Sequence, residues 1–397
     1  MMILPTYSPC RVEAGRLRID RKFHVGTCLY AERLRTRIVV VAPRLREGDR
    51  QMDFVELPLE EVPYEVRPVA CDGSFRLEPA EREALRPLVA NADLLYGLGF
   101  DLQALARELG RPYVGVVEYN LPTCIQVATL PVSGRLRRLV RTLKTLVGFV
   151  HEVRDLRGAR SVHCNGYPMY EQTRRFQSDC LLYLDSRMGE AMVIEAERLE
   201  ARLASLVAGR RPRLLYSGRY EAMKGALDVV EVGLALAARG LDFELDLYGQ
   251  GEQASGMRRR IETAGEGARV RVHEAIPYPE LVERSAEADL FVCCHVQDDP
   301  SCTYLEASGA GLPIAGYGNR MWRHFAAAAG SGVVTPMKRP VALAEAIGDL
   351  LAAPDRLATL SRRARAFALE HCFEREFEKR VDAIRPYLGP GPGTDPA

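Results

Sequence analysis

The chain is poor in lysine, with five against 49 arginines, and has a single tryptophan in 397 residues. Its formal net charge is only +1, and it contains no apolar run near the roughly 20 residues that a bilayer-spanning helix needs. Each shortage excludes something. Without net charge there is no global field toward nucleic acid or a strongly acidic partner, so partners have to be argued locally and nucleic acid is not expected. Without the apolar run, contact with a membrane is limited to its surface. No C-x-x-C pair occurs among the ten cysteines, and no signal-peptide-like stretch opens the chain. Reduced, mostly buried thiols in a cytoplasmic protein are therefore expected.

What is present is length and apolar content. At 397 residues and 47% hydrophobic, the chain exceeds one compact domain and supplies two cores. β-Branched runs alternate with amphipathic stretches throughout, the pattern of a parallel α/β protein. Strands are predicted at 37–41, 93–96, 113–118, 161–164 and 180–184 in the first half. In the second half they are predicted at 213–217, 244–248, 270–273, 290–293, 312–315 and 332–334. Helices are predicted at 226–238, 278–287, 302–309 and 340–351, with one long charged helix over 188–207 and a last helical stretch over 356–385, broken near Cys372. Ala208 to Pro212 reads as a break, which divides the chain into a domain at 1–207 and another at 208–370. Residues 371–388 then form a helix packing back on the first domain, and 389–397 a disordered tail.

Two segments carry chemistry. Ser217 to Gly225 reads S-G-R-Y-E-A-M-K-G and sets Arg219 and Lys224 on a turn between a strand and a helix, where both cations and the helix's first amides can converge on an anion. Asp298 to Glu306 reads D-D-P-S-C-T-Y-L-E and places two carboxylates around a helix start near Cys302. A diphosphate needs fixed positive charge, and vicinal hydroxyls of a ribose or hexose need carboxylate acceptors, so the pair describes a nucleotide-sugar site. The bland alternatives are a solvated basic turn, an N-capping Asp298 and an exposed helical Glu306. Tyr248-Gly249-Gln250-Gly251 ends another strand and admits close backbone approach or simply a turn.

The order strand, G-R-x4-K-G, strand, G-x-G, strand, D-x7-E and A-S-G-A-G-L-P-I resembles the C-terminal domain of the retaining family 4 glycosyltransferases. The resemblance runs from about Leu214 to His371. It implies a GT-B fold, two Rossmann-like doubly wound parallel-sheet domains facing across a cleft. It further implies that Arg219 and Lys224 bind the donor's diphosphate and that Glu306 binds its ribose. Asp298 stands where the family has a glutamate that meets the transferred sugar, and amides of Ser301, Cys302 and Thr303 hold sugar hydroxyls. Gly218, Gly249, Gly251 and Ile276 fall in loops near the nucleotide. By the same resemblance the reaction is transfer from a nucleotide-diphosphate sugar, with retention, to an acceptor sugar, glycolipid or small molecule. It uses no cofactor and no metal. A GT-B nucleotide-sugar epimerase and a non-catalytic nucleotide-sugar-binding scaffold are the alternatives.

The first half resembles the family only in architecture. Gly15 is the one glycine placed to serve as its N-terminal glycine loop. Glu118 stands where a histidine is common, either binding an acceptor hydroxyl or donor sugar, or capping the next turn. Cys293, Cys294 and His295 invite a metal reading, but adjacent cysteines on a strand point to opposite faces and no second ligand pair follows. His151, His163, His273 and His324 have no partners nameable from sequence. Finally, Arg135 to Lys144 holds five basic and no acidic residues, followed by apolar Leu146 to Val150. This suits either a peripheral contact with an anionic membrane surface or an ordinary helix with its apolar face in the core.

Overall fold

The computed structural model describes residues 1–45, 54–73, 75–130, 132–267, 269–298, 300 and 302–389. From 390 onward the expected tail lies outside the described residues. The strands are β1 (Met2–Pro5), β2 (Arg11–Glu13), β3 (Arg16–Asp20), β4 (Ile38–Pro43), β5 (Phe54–Pro58), β6 (Glu65–Val69), β7 (Leu94–Tyr96), β8 (Tyr113–Val117), β9 (Ser161–Asn165), β10 (Cys180–Tyr183), β11 (Arg213–Ser217), β12 (Glu244–Tyr248), β13 (Val270–His273), β14 (Leu290–Cys293), β15 (Ile314–Tyr317) and β16 (Gly332–Thr335). The helices are α1 (Arg21–Leu34), α2 (Pro79–Ala90), α3 (Leu102–Glu108), α4 (Leu121–Thr129), α5 (Arg135–Gly158), α6 (Tyr167–Thr173), α7 (Ala196–Val207), α8 (Ala226–Ala238), α9 (Ala254–Ala264), α10 (Tyr278–Glu287), α11 (Cys302–Gly309), α12 (Arg320–Ala329), α13 (Pro340–Leu351), α14 (Pro354–Glu370) and α15 (Phe373–Ile384).

Two parallel sheets organise them. The first has strand order β10-β9-β8-β7-β1-β4-β6 and the second β13-β12-β11-β14-β15-β16. Central strands such as β4 and β14 are buried throughout, as strands covered by helices on both faces must be. In each sheet the strand order reverses once, between β1 and β7 and between β11 and β14. Ligands of doubly wound sheets bind outside the strand ends at such switch points. The loops after β11 and β14 are the two motif segments.

The small antiparallel sheet β2-β3-β5 was not foreseen. It corrects the reading of Gly15, which forms the β2–β3 hairpin turn with Ala14, both at positive φ. Its carbonyl accepts from Leu59 N at 2.8 Å, so this turn is structural and sits at the far end of β3 from α1.

Residues 188–207 are not one helix. A single 3-10 turn covers Glu190–Met192, and α7 begins at Ala196. Ile194, Leu199 and Leu203 join the core of the second sheet. Arg202, only 7% exposed, donates to the carbonyls of Ala286, Ala310 and Gly311 at 2.7–2.9 Å. Helix α7 is thereby fixed to the second domain, and the chain crosses between the cores at 184–195, before the helix rather than after it. The break at 208–212 links α7 to β11 within one domain.

At the other end, α15 inserts Phe377, Val381 and Ile384 among Tyr30, Tyr96 and the first-sheet strands. It also grips the outgoing crossing: buried Glu376 accepts from Leu184 N at 2.9 Å, Phe373 N donates to Met188 O at 2.8 Å, and Glu190 N to Glu374 at 3.0 Å. The two passages of chain between the domains are therefore bonded to each other.

One buried acid gives a measurable pH effect. Burial, and then repulsion from Asp155, push Glu152 on α5 up to about 7. Its folded pKa lies above the unfolded value of about 4.3, so its penalty is absent at acid pH and grows as pH rises toward 7. Glu152→Gln is expected to gain roughly 1 to 2 kcal/mol over wild type between pH 5 and 8 in urea unfolding, since one pKa unit is about 1.4 kcal/mol and partial exposure reduces the full value. A constant gap across that range would refute the shift.

Candidate functional site

The turn after β11 is built by backbone packing. Gly218 N donates to Tyr248 O at 3.0 Å, Tyr220 N to Gln250 O at 2.9 Å and Gln253 N to Tyr220 O at 3.0 Å. The Tyr220 hydroxyl pins the turn from below, on Leu247 O at 2.6 Å and His273 O at 2.7 Å. A Cβ on Gly249 would lie 1.9 Å from Gly218 O, and one on Gly251 2.5 Å from Tyr220 O. The bare backbone at 249 and 251 thus seats the 218–220 segment.

Lys224 ends the 3-10 turn Ala222–Lys224, and Gly225 follows in the left-handed region at φ 62. A Cβ there would stand 2.1 Å from Cys294 O. Val296 N donates to Met223 O at 3.1 Å, so the loops after β11 and β14 are held together across the switch point. Lys224 is 8% exposed, while Arg219 reaches outward and pairs with Glu221 at 3.1 Å. His295 lies between the loops, buried with neither ring nitrogen bonded among the described residues. Burial first, then Lys224 and Arg219, hold it neutral, well below the usual histidine range. His295 feels both predicted cations, Lys224 from the packed corner and Arg219 from the exposed side of the turn before α8. Cys293 and Cys294 belong to opposite cores of the domain, as expected of strand neighbours.

Asp298 and Glu306 are spread along the next loop and helix. Asp298 accepts from Arg320 N, the first amide of α12, at 2.7 Å, and its other oxygen lies 3.8 Å from the Arg320 guanidinium. It takes the capping role weighed above, but on α12 rather than α11. Cys302 and Thr303 open α11. Ser301 lies outside the described residues. One turn further, Glu306 Oε1 accepts from both Arg187 Nε at 3.1 Å and Nη2 at 3.0 Å. Arg187 stacks 4.1 Å over the ring of Tyr278. Ile276 sits, partly exposed, in the loop between β13 and α10.

Across the cleft, Glu118 follows β8 at the C-terminal edge of the first sheet. Its surface is open, yet the surrounding cleft walls desolvate the carboxyl, and Asp185 adds repulsion. Its pKa rises, with Lys22 and a hydrogen bond from Asn165 opposing. Lys22, on the first turn of α1, donates to Asp185 at 2.5 Å. Burial opposes its charge, but Asp185 and then Cys302 and Glu118 outweigh that and raise its pKa. The domains meet where Gly166 abuts Pro300, and where His324 pairs with Glu171 at 3.1 Å.

Sequence reasoning missed Lys22, Asp185 and Arg187. The scarcity of lysine was a signal for Lys22, since two of the five lysines fall in the cleft. Asp185 and Arg187 lie in the crossing segment, between the strand predicted at 180–184 and the helix predicted at 188–207, in residues given no element.

Residues 198–367 match the family described as "Glycosyl transferases group 1". That match covers under half of the chain, and with the paired doubly wound sheets it gives the class: a GT-B fold whose second domain is similar to the glycosyltransferase group 1 family. Among individual relatives, a 2-deoxystreptamine glucosyltransferase of Streptomyces kanamyceticus is 29% identical over 135 residues, 34% of this chain. The match spans only 35% of that relative. Among solved structures, HepE of Anabaena in complex with UDP aligns with a TM-score of 0.67 at 14% identity, over 98% of this chain and 100% of that one. A glycosyltransferase from Rickettsia africae ESF-5 gives 0.65 at 11% identity over 98% of each chain. WaaG, a glycosyltransferase involved in lipopolysaccharide biosynthesis, gives 0.60 at 16% identity over 97% of this chain and 99% of its own. At these identities the likeness is one of fold.

Proposed function

We propose that the protein is a retaining, family 4-type glycosyltransferase that moves a sugar from a nucleotide-diphosphate sugar to an acceptor hydroxyl, without a metal, in the cytoplasm. The observation that supports this reading is that buried Lys224 and outward-reaching Arg219 share the turn before α8 at the β11–β14 switch point, with Glu306 one turn along the helix that follows β14. A departing nucleoside diphosphate gathers negative charge while positive charge grows at the anomeric carbon. Fixed cations and helix-end amides stabilise the leaving group without reorganising. The second oxygen of Glu306 takes the ribose hydroxyls while Arg187 steadies the first. The sugar lies toward Asp298 and the start of α11, opposite Glu118 and Lys22, where the acceptor hydroxyl enters. Its proton leaves on the departing phosphate as the new bond forms on the same face. Closure of the cleft keeps water from competing.

The test is thermal shift against a panel of nucleotide sugars, since a specific ligand raises the melting temperature with concentration. One donor class is expected to stabilise the wild type, and Glu306→Gln to bind it about tenfold more weakly. With donor and acceptor in hand, activity is expected to survive EDTA within a few-fold. A panel without effect on the wild type removes the nucleotide-sugar reading, and abolition by chelator with rescue by Mn²⁺ removes its metal-free form.

A further inference from the structure

Helix α5 runs for 24 residues, about 36 Å, and only its C-terminal end is built into the first domain. There Leu156 is fully buried against Gly115, the Tyr113 hydroxyl donates to Asp155 O at 2.5 Å, and Gln103 holds the Asp155 carboxylate at 2.9 Å. Along the rest of the helix, Thr142, Thr145, Phe149 and Glu152 form the half-buried side, spaced at threes and fours in line with Leu156.

Most of the apolar residues lie elsewhere on the helix. Leu136, Leu139, Val140, Leu143, Val147 and Val150 form a second stripe of helical period, turned well away from the first. All six are exposed, Leu136 by 74%, Leu143 by 53% and Val150 by 65%. A helix that merely covered a core would bury this stripe. Here the packed side is Thr142, Thr145, Phe149, Glu152 and Leu156, and the longer apolar stripe faces out. Val127 and Leu130 at the end of α4, the other arm of the hairpin, are exposed as well. Isolated exposed apolar residues need no explanation, but a continuous stripe does.

We propose that this α4–α5 hairpin docks on an anionic lipid bilayer surface. Charge selects that occupant. Arg135, Arg137, Arg138, Arg141 and Lys144 accompany the stripe, and no acidic residue occurs in α5 before Glu152. Arg137, Arg141 and Lys144 line a groove of about 530 Å³ together with Leu136 and Val140, so cations and apolar side chains meet in one recess, as the boundary between head group and acyl chain requires. No described helix is long and apolar enough to cross a membrane, so the hairpin lies on the surface. The placement suits the proposed reaction: α4 begins at Leu121, three residues after Glu118, so docking brings the acceptor side of the cleft to the lipid surface. The proposal does not depend on the donor reading, because nucleotide binding sits in the other domain and is measured separately.

The experiment is vesicle co-sedimentation of the full chain, with equimolar phosphatidylglycerol and phosphatidylcholine against phosphatidylcholine alone. Wild type is expected to bind the anionic vesicles, less so as salt rises. The variant with Arg137, Arg138, Arg141 and Lys144 changed to Gln is expected to partition on the order of 1,000-fold more weakly at low salt. A second variant, Leu143→Ser with Val147→Ser, keeps the charge and replaces only exposed side chains. It is expected to lose binding while retaining the melting temperature. Wild type remaining in the supernatant at low salt, or binding neutral vesicles equally well, overturns the proposal. So does a dimer by analytical ultracentrifugation that the serine variant abolishes without any vesicle binding, because the stripe would then be covered by a second copy.

Discussion

Replacing Lys224 by alanine is expected to weaken nucleoside diphosphate binding on the order of 100-fold, and replacing Arg219 about tenfold. The asymmetry comes from burial. Lys224 is 8% exposed in the packed corner between the two motif loops, where a charge-assisted contact is little screened, whereas the Arg219 side chain is 62% exposed to solvent and salt. Lys224→Arg is a poor rescue in such a corner, because a planar fork replaces a compact ammonium. Calorimetric titration with UDP, GDP and ADP reads the loss. Equal affinities in wild type and both alanine variants would remove the phosphate assignment, and a larger loss for Arg219 would reverse the argument from burial.

The second large effect is expected at Gly225. An alanine there must adopt φ 62 and places its Cβ 2.1 Å from Cys294 O, so either the turn or the end of β14 has to move. Left-handed backbone at a non-glycine residue and overpacking against a carbonyl each cost about 1 to 3 kcal/mol. Gly225→Ala is therefore expected to lose roughly 2 to 5 kcal/mol in urea unfolding. The folded fraction is expected to bind nucleoside diphosphate more weakly as well, since the displaced turn carries Lys224. An unchanged unfolding midpoint would show that the two loops are not held as close as described. Gly249→Ala is the companion test of the same packing, because its Cβ would meet Gly218 O.

The second domain was largely legible in the chain. Strands β11, β12, β13 and β14 and helices α8, α10, α11 and α13 have the predicted ends, because each is a short apolar run closed by glycine, proline or a polar turn. The edges of the first domain were not. β1 is only Met-Ile-Leu-Pro, and β2, β3 and β6 alternate with arginine and glutamate, which reads as loop until a neighbouring strand is present. The helix over 188–207 failed at its start, where Met188 and Val193 are buried against the second domain in extended chain rather than on a helical face. At the site, Lys224 and Cys302 lie next to helix starts as the motifs suggest, whereas Asp298 accepts from the first amide of α12 rather than of α11. Lys22, Asp185 and Arg187 acquire meaning only through contacts 163 and 119 positions away in the chain, which no local pattern carries. The exposed face of α5 was undecidable for the same reason: periodicity shows that a stripe exists, and only packing shows which side of the helix is anchored.

The helix that closes the fold sets the order in which the protein is completed during synthesis. The second domain is contiguous and has all of its core residues by about Phe367, whereas the first lacks Phe377, Val381 and Ile384 until the last helix leaves the ribosome. Domains made in sequence usually mature from the N-terminus onward. Here the earlier half waits, with Tyr30, Tyr96 and the underside of its central strands uncovered, while the later half is assembled. A chain ending before residue 373 and released from the ribosome is expected to hold a folded second domain beside a first domain that is still sensitive to protease.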